Sequence, residues 1–132
     1  MTILGLDHVN LRGPRHLLDA LKDFYCSAVG LEVGWRPDFA GFGYWLYAGR
    51  QAVVHLSAAA PDEERRTDGS ATFDHVAFAC RDCRSAEARL QARGVAYTRH
   101  TVPGTGQVQL FLRDPGGNRV ELVFDTDDGA SR

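Results

Sequence analysis

Cysteine is scarce in this chain: three thiols in 132 residues, an odd number, so a disulfide scaffold is not implied. No apolar run reaches the 18 or more residues of a membrane span. Neither sign of charge dominates, with 15 Lys and Arg against 17 Asp and Glu and a formal net charge of −2. A protein so balanced has no basic field to hold nucleic acid or an anionic membrane. Met1 to Gly13 lacks the basic, apolar and small-residue regions of a signal peptide. Together these absences predict a soluble, cytoplasmic protein. What is present is a 44% apolar share with 24% charged residues, enough to bury a core and too much for wholesale disorder. The length allows one domain or two small modules that share a core. Five histidines stand out, and their placement decides the reading.

The chain repeats itself weakly. Leu6-Asp7-His8-Val9-Asn10-Leu11 resembles Phe73-Asp74-His75-Val76-Ala77-Phe78 at an offset of 67. Ala52–Leu56 answers Arg119–Val123 near 66, and Val29–Val33 answers Arg93–Tyr97 at 64. Matched blocks in one order at nearly one spacing point to two copies of one unit. Each copy reads as strand, helix and three further strands. In the first copy the strands are Ile3–Arg12, Leu31–Pro37, Gly43–Tyr47 and Ala52–Ser57. Its helix carries Leu17, Leu18, Leu21, Phe24, Tyr25 and Val29 at helical spacing and stops at Gly30. The second copy has strands Thr72–Cys80, Ala96–Val102, Gln107–Arg113 and Arg119–Phe124, with a helix over Ser85–Arg93. Asp114-Pro115-Gly116-Gly117-Asn118 is turn chemistry between its last two strands. The expected division is a first βαβββ module at 1–57, an exposed linker at 58–71, a second module at 72–126 and a flexible tail at 127–132. The fold class is α+β.

Side chains alternate faces along a strand. His8 therefore shares a face with Asn10 and Arg12, and His55 one with Ser57. His8 is equivalent to His75 in the repeat, and His55 to Glu121. If a twofold axis relates the copies, three imidazoles and one carboxylate point into one cavity. That set, His8, His55, His75 and Glu121, suits one divalent ion per site: Zn, Fe, Ni, Mn or Co. Apolar neighbours such as Val54, Val76 and Val120 make an unpartnered Glu121 charge costly, which favours a metal partner. His16 and His100 have no repeat partner and read as surface residues. Candidate substrate contacts are Asn10 and Arg12, Trp45 and Tyr47 on the third strand of the first copy, and Gln109, Phe111 and Arg113 on its counterpart. Arg12 or Arg113 would pair with a substrate carboxylate. Cys80-Arg81-Asp82-Cys83 reads as two reduced thiols at a strand–helix junction, and Gly104 and Gly106 as a plain turn.

The blocks LDHVNLR, FYCSAVGLEV, AVVHL, FDHVAF, ARGV and LFLRDPGGNRVELVF resemble the vicinal oxygen chelate superfamily over about residues 3 to 125. The superfamily includes glyoxalase I, extradiol dioxygenases, fosfomycin-resistance proteins and bleomycin-binding proteins. The resemblance implies paired βαβββ modules forming a curved mixed sheet around a metal-binding cavity, often in a homodimer. If modules exchange between chains, the ligands come from two subunits. The family's metal positions fall on His8, His75 and Glu121, and the fourth on His55, where glyoxalase I carries a carboxylate or glutamine. Arg12 matches a glutathione-binding arginine of glyoxalase I. Ala59, however, stands where that family has asparagine, and Thr101–Gln109 contains no lysine, so glutathione is not implied. The function the resemblance implies is a glyoxalase-like, metal-dependent lyase or isomerase. It would act on a small substrate with adjacent oxygens through an enediolate or oxyanion, with Glu121 as base and His55 as the other candidate. The alternatives are an Fe(II) extradiol-type dioxygenase on a His8, His75, Glu121 triad and a non-catalytic protein that binds a drug or metabolite.

Overall fold

The structure is a computed structural model that describes residues 1–68 and 73–125. The end of the expected linker, Thr72 and the expected tail at 127–132 lie outside the described residues. The chain divides into two compact units, Met1–Thr67 and Asp68–Arg132.

In the first unit β1 (Val9–Gly13) leads into α1 (Arg15–Phe24) and a π-helical turn (Tyr25–Val29), followed by β2 (Glu32–Gly34), β3 (Gly43–Ala48) and β4 (Gln51–Ala58). The sheet order is β1-β4-β3-β2, with β1 parallel to β4 and the other pairs antiparallel. Pro14 opens the helix, its carbonyl accepting from the Leu17 and Leu18 amides. A proline loses nothing there, because the first helical N–H groups have no intrahelical partner. The helix ends by widening: the Tyr25 carbonyl accepts from both Gly30 and Leu31. Gly30, at φ 104°, takes the left-handed turn that a side chain would oppose. Leu18, Leu21, Tyr25, Ala28 and Leu31 are buried with Leu46, Val54 and Leu56. One face of the sheet thus carries the helix, and the alternation of β4 sends His55 and Ser57 to the other face.

The second unit repeats the plan. β5 (His75–Cys80) is followed by α2 (Cys83–Ala92), β6 (Tyr97–Thr101), β7 (Val108–Arg113) and β8 (Arg119–Phe124). The order β5-β8-β7-β6 has the same parallel and antiparallel pairs. Val108, Leu110, Leu112, Val120, Leu122 and Phe124 are buried together with Cys83 and Leu90 of α2. Gln109, Phe111 and Glu121 alternate onto the opposite face. Asp82 caps α2 through a bond from the Ser85 amide, 3.0 Å, at φ 67°. The turn after β7 is organised by buried Asp114, which accepts from the Gly116 and Asn118 amides and from the Asn118 side chain. The architecture is α+β, two four-stranded mixed sheets built as βαβββ modules.

Three local expectations are corrected. The strand expected from Ile3 begins only at Val9, where the ladder to β4 starts at Val9↔Val54, and Met1, Ile3, Leu4 and Leu6 stay exposed. The strand expected over Leu31–Pro37 ends at Gly34, where the chain leaves the sheet edge. There the Tyr47 ring lies so close to the Gly34 backbone that a Cβ would meet it at 2.6 Å. The segment after β4, expected to be exposed throughout, is exposed through residue 68 except at half-buried Ala59 and Glu63. Glu63 receives two bonds from Arg12, at 2.8 and 2.7 Å, and one from Arg65 at 2.6 Å. Those bonds hold its carboxyl down at about 2, Arg12 contributing most.

Candidate functional site

On the open face of the first sheet, His8, His55 and Trp45 form a column of rings. His8 stacks on His55 at 3.7 Å between centroids, and His55 on Trp45 at 4.0 Å, both nearly parallel. The register produces this, since Trp45 and Asn10 both pair with His55 across the ladders. Around the column lies a cleft of about 320 Å³, lined by Asn10, Arg12, Arg36, Phe39, Phe42, Trp45, His55 and Ser57 together with backbone and aliphatic neighbours. Ser57 gives its hydroxyl proton to Asn10 Oδ1 at 2.9 Å and receives Arg12 Nη1 at 3.4 Å. Arg36 donates Nη1 to the Gly41 carbonyl at 3.0 Å, while its buried Nε has no acceptor among the described residues. A buried donor left so costs about 1–3 kcal/mol.

The second unit gathers His75, Glu121, Gln109 and Phe111 on the matching face. His75 Nε2 stands 3.3 Å from Glu121 Oε1, and Gln109 Nε2 donates to the same oxygen at 3.4 Å. Phe111 meets the edge of His75, and the Arg119 guanidinium lies 4.0 Å from its ring centroid. Phe111 pairs with Glu121 as Trp45 pairs with His55, so each donor of β4 and β8 has an aromatic cross-strand neighbour.

The hydrogen bonds of the three imidazoles reveal their chemistry. His8 Nδ1 contacts Asp7 Oδ2 at 2.6 Å, and His75 Nδ1 contacts Asp74 Oδ2 at 2.6 Å. His55 Nε2 contacts the Ala52 carbonyl at 3.2 Å. Carboxylates and carbonyls only accept, so each of these nitrogens carries a proton. Metal-binding histidines are oriented in this way, by an outer acceptor on the nitrogen away from the ion. His55 is kept neutral by burial first and by neighbouring His8 second, which push its pKa down. Asp74 is held below the ordinary carboxylate range by the bond from His75 and then by the bond from Arg119. His75 Nε2 and Glu121 Oε1 lie 3.3 Å apart, a separation that a proton on the ring or a cation held by both would bridge. The donor set therefore fits a divalent ion. Each unit brings two of its donors together, and among the described residues no three His, Cys, Asp or Glu side chains are grouped to hold a metal.

The other candidate residues are placed as follows. Asn10, Arg12 and Trp45 line the cleft, with Arg12 committed to Glu63. Tyr47 lies outside the lining and donates its hydroxyl to the Trp35 carbonyl. Arg113 is exposed and bonds the Gly117 carbonyl across the β7–β8 turn. His16 is exposed, and His100 meets the edge of Phe111. Residues that sequence reasoning passed over are Asp7, Asp74, Arg36 and Glu63. The Asp-His pair present in both repeats was the signal for the first two. Arg36 sits in a loop without periodicity and gave none.

The sequence profile described as the Glyoxalase/Bleomycin resistance protein/Dioxygenase superfamily matches residues 5–122. Among solved structures, a protein from Bacillus anthracis provisionally placed in the glyoxalase family is similar with a TM-score of 0.72 and 21% identity, covering 94% of this chain and 97% of that one. A lactoylglutathione lyase from Agrobacterium tumefaciens gives 0.64 and 22%, covering 94% and 96%. The fosfomycin resistance protein FosX from Listeria monocytogenes gives 0.68 and 17%, covering 97% and 98%. At these identities the likeness is one of fold. No curated protein matches the chain.

Proposed function

Because this chain belongs to the Glyoxalase/Bleomycin resistance protein/Dioxygenase superfamily, we propose that it is a divalent-metal-dependent lyase or isomerase acting on a small molecule with adjacent oxygens. His8, His55, His75 and Glu121 are the proposed ligands, two from each unit. The observation that carries the reading is the common orientation of the three imidazoles: each gives one ring N–H to a fixed acceptor, and the other ring nitrogen is turned away from that acceptor. The ion would supply Lewis-acid charge opposite a developing oxyanion.

The chain's own groups account for the rest of the chemistry. The first-unit cleft receives the substrate, with Trp45 and Phe39 excluding water from its apolar part. Glu121, buried beside Gln109 and His75, is the proposed base. It takes a proton from a carbon next to a substrate carbonyl, and the C–H electron pair moves into the enediolate. Return of that proton to the neighbouring carbon, with the hydroxyl proton passing to the former carbonyl oxygen, completes an isomerisation. Gln109 holds the carboxylate in place, and Asp74 fixes the His75 ring. The protein is proposed to act as a homodimer.

A second reading, the Fe(II) dioxygenase, draws on the packing of His55. Its ring is covered on both faces by His8 and Trp45, which suits a packing role beside a two-histidine, one-carboxylate triad. Metal analysis of protein purified without a histidine tag tests both readings. Zinc, nickel or cobalt at about one ion per chain, lost in His8→Ala and Glu121→Ala, supports the lyase or isomerase. Iron supports the dioxygenase. Full metal content in either variant overturns the ligand assignment, and a metal-free protein that binds small molecules without turnover supports sequestration.

A further inference from the structure

We infer that the first-unit cleft selects a small monoanion, a carboxylate on a flat apolar body, and that Arg36 is the residue that reads its charge. This rests on the reading of the cleft as a substrate site and names the class of substrate.

The charge balance of the cleft comes first. Its lining holds two guanidiniums, Arg12 and Arg36, and no carboxylate. Arg12 is already committed. Its Nε and Nη2 give two short bonds to the carboxylate of Glu63, and its Nη1 reaches Ser57. Arg36 is differently placed. It gives one bond, from Nη1 to the Gly41 carbonyl, and among the described residues its buried Nε has no acceptor. A guanidinium has five N–H donors in a rigid plane that suits a carboxylate. Among the described residues Arg12 is paired with a carboxylate, whereas Arg36 meets only a carbonyl and an aromatic ring. A single uncommitted cation matches a single negative charge, which favours a carboxylate over a phosphate dianion.

Arg36 is also held in position. Its guanidinium lies over the Phe39 ring, 4.9 Å from the centroid. On the β3 side, Gly43 has no side chain, and a Cβ there would come within 2.8 Å of Arg36 Nη2. The cation therefore sits at the strand backbone because Gly43 leaves room. Phe39, Phe42 and Trp45 supply the apolar walls. A volume of about 320 Å³ is at the lower end for small-molecule sites, which sets the ligand at about one ring with its substituents. Nothing in the helical or strand periodicity marks Arg36, because it belongs to the segment between β2 and β3.

The test compares benzoate with its neutral isostere benzamide, titrated into the full chain both as purified and after chelation. Tryptophan emission reports binding, since Trp45 lines the cleft. Benzoate is expected to bind at least tenfold more tightly than benzamide with and without metal. Arg36→Gln should abolish that preference, while Arg36→Lys keeps part of it. An unchanged thermal midpoint confirms that the variants fold. Equal binding of the two probes, no benzoate binding at millimolar concentration, or a preference that survives Arg36→Gln overturns the inference. A preference that vanishes on chelation and is untouched by Arg36→Gln assigns charge recognition to the metal. That result would sink the role of Arg36 while upholding the metal-dependent reading.

Discussion

Gly43 shows how one absent side chain shapes the site. A Cβ there would lie 2.2 Å from the Leu56 carbonyl oxygen as well as 2.8 Å from Arg36 Nη2. The arginine can swing away, but the carbonyl belongs to the β3–β4 ladder and cannot move without disturbing the pairing Tyr44↔Leu56 beside it. Gly43→Ala is expected to lower stability by about 1–3 kcal/mol, read as a lower urea midpoint at unchanged slope. The same variant should weaken benzoate binding by displacing Arg36. At the histidines the lever is the outer acceptor. Asp74→Asn removes the charge that holds the His75 Nδ1 proton and the ring's orientation, and Asp7→Asn does the same at His8. Each should reduce metal affinity about 10–100-fold, measured by competition with a chromophoric chelator. Unaltered affinity in both would mean that these rings do not hold the ion.

Elements join through a few long-range polar ties. The Arg12–Glu63 pair fastens the segment after β4 back to β1 across 51 positions. Its two bonds, at 2.8 and 2.7 Å, hold the carboxyl down. The Glu63 carboxyl sits at about 2 against an ordinary 4.5. A depressed carboxylate contributes stability above its unfolded value, and that contribution is lost as pH falls through the folded value. The tie should therefore be complete above pH 4.5 and disappear toward pH 2. Carbon-detected NMR should find Glu63 titrating near 2, and in Arg12→Gln raised toward 4.5 but still below it, because Arg65 keeps its bond. A normal midpoint in the parent chain would remove the tie. The β7–β8 turn invites a second substitution. Asp114→Ala leaves the Gly116 and Asn118 amides without their acceptor and should cost about 2–3 kcal/mol. Most of this architecture was legible. Period-two alternation placed β7 and β8 because Leu110, Leu112, Val120 and Leu122 bury one face, and the repeated Asp-His blocks exposed the duplication. The limits of β1 and β2 were not legible, since residues 3–8 and 35–37 carry strand-like composition but lack partners in the ladder. Glu63 was hidden inside a charge run whose composition reads as solvated, because an ion pair across 51 positions leaves no local pattern. Arg36 was hidden because it lies between β2 and β3, outside any periodic element.

At the scale of the molecule, the proposed ligands divide evenly between the two units. His8 and His55 belong to the first unit, His75 and Glu121 to the second. Two donors alone satisfy a divalent transition metal poorly, since such sites use three or four protein ligands. If each unit bound an ion by itself, removing a first-unit donor would leave binding at the second intact, and effects in the two units would add. If one ion needs donors from both, either loss removes the same binding event, and combining the losses adds nothing. Metal that binds only the folded protein stabilises it by about 2.7 kcal/mol at a hundredfold excess over Kd. The expected result is a metal-dependent rise in thermal midpoint for the parent chain, absent in His8→Ala and equally absent in Glu121→Ala. His8→Ala combined with Glu121→Ala should show no further loss of the metal-dependent rise. The midpoints measured in chelator serve as the baseline and separate this effect from any direct cost of the substitutions. A rise that persists in both single variants and falls in additive steps would show that the two units bind metal independently.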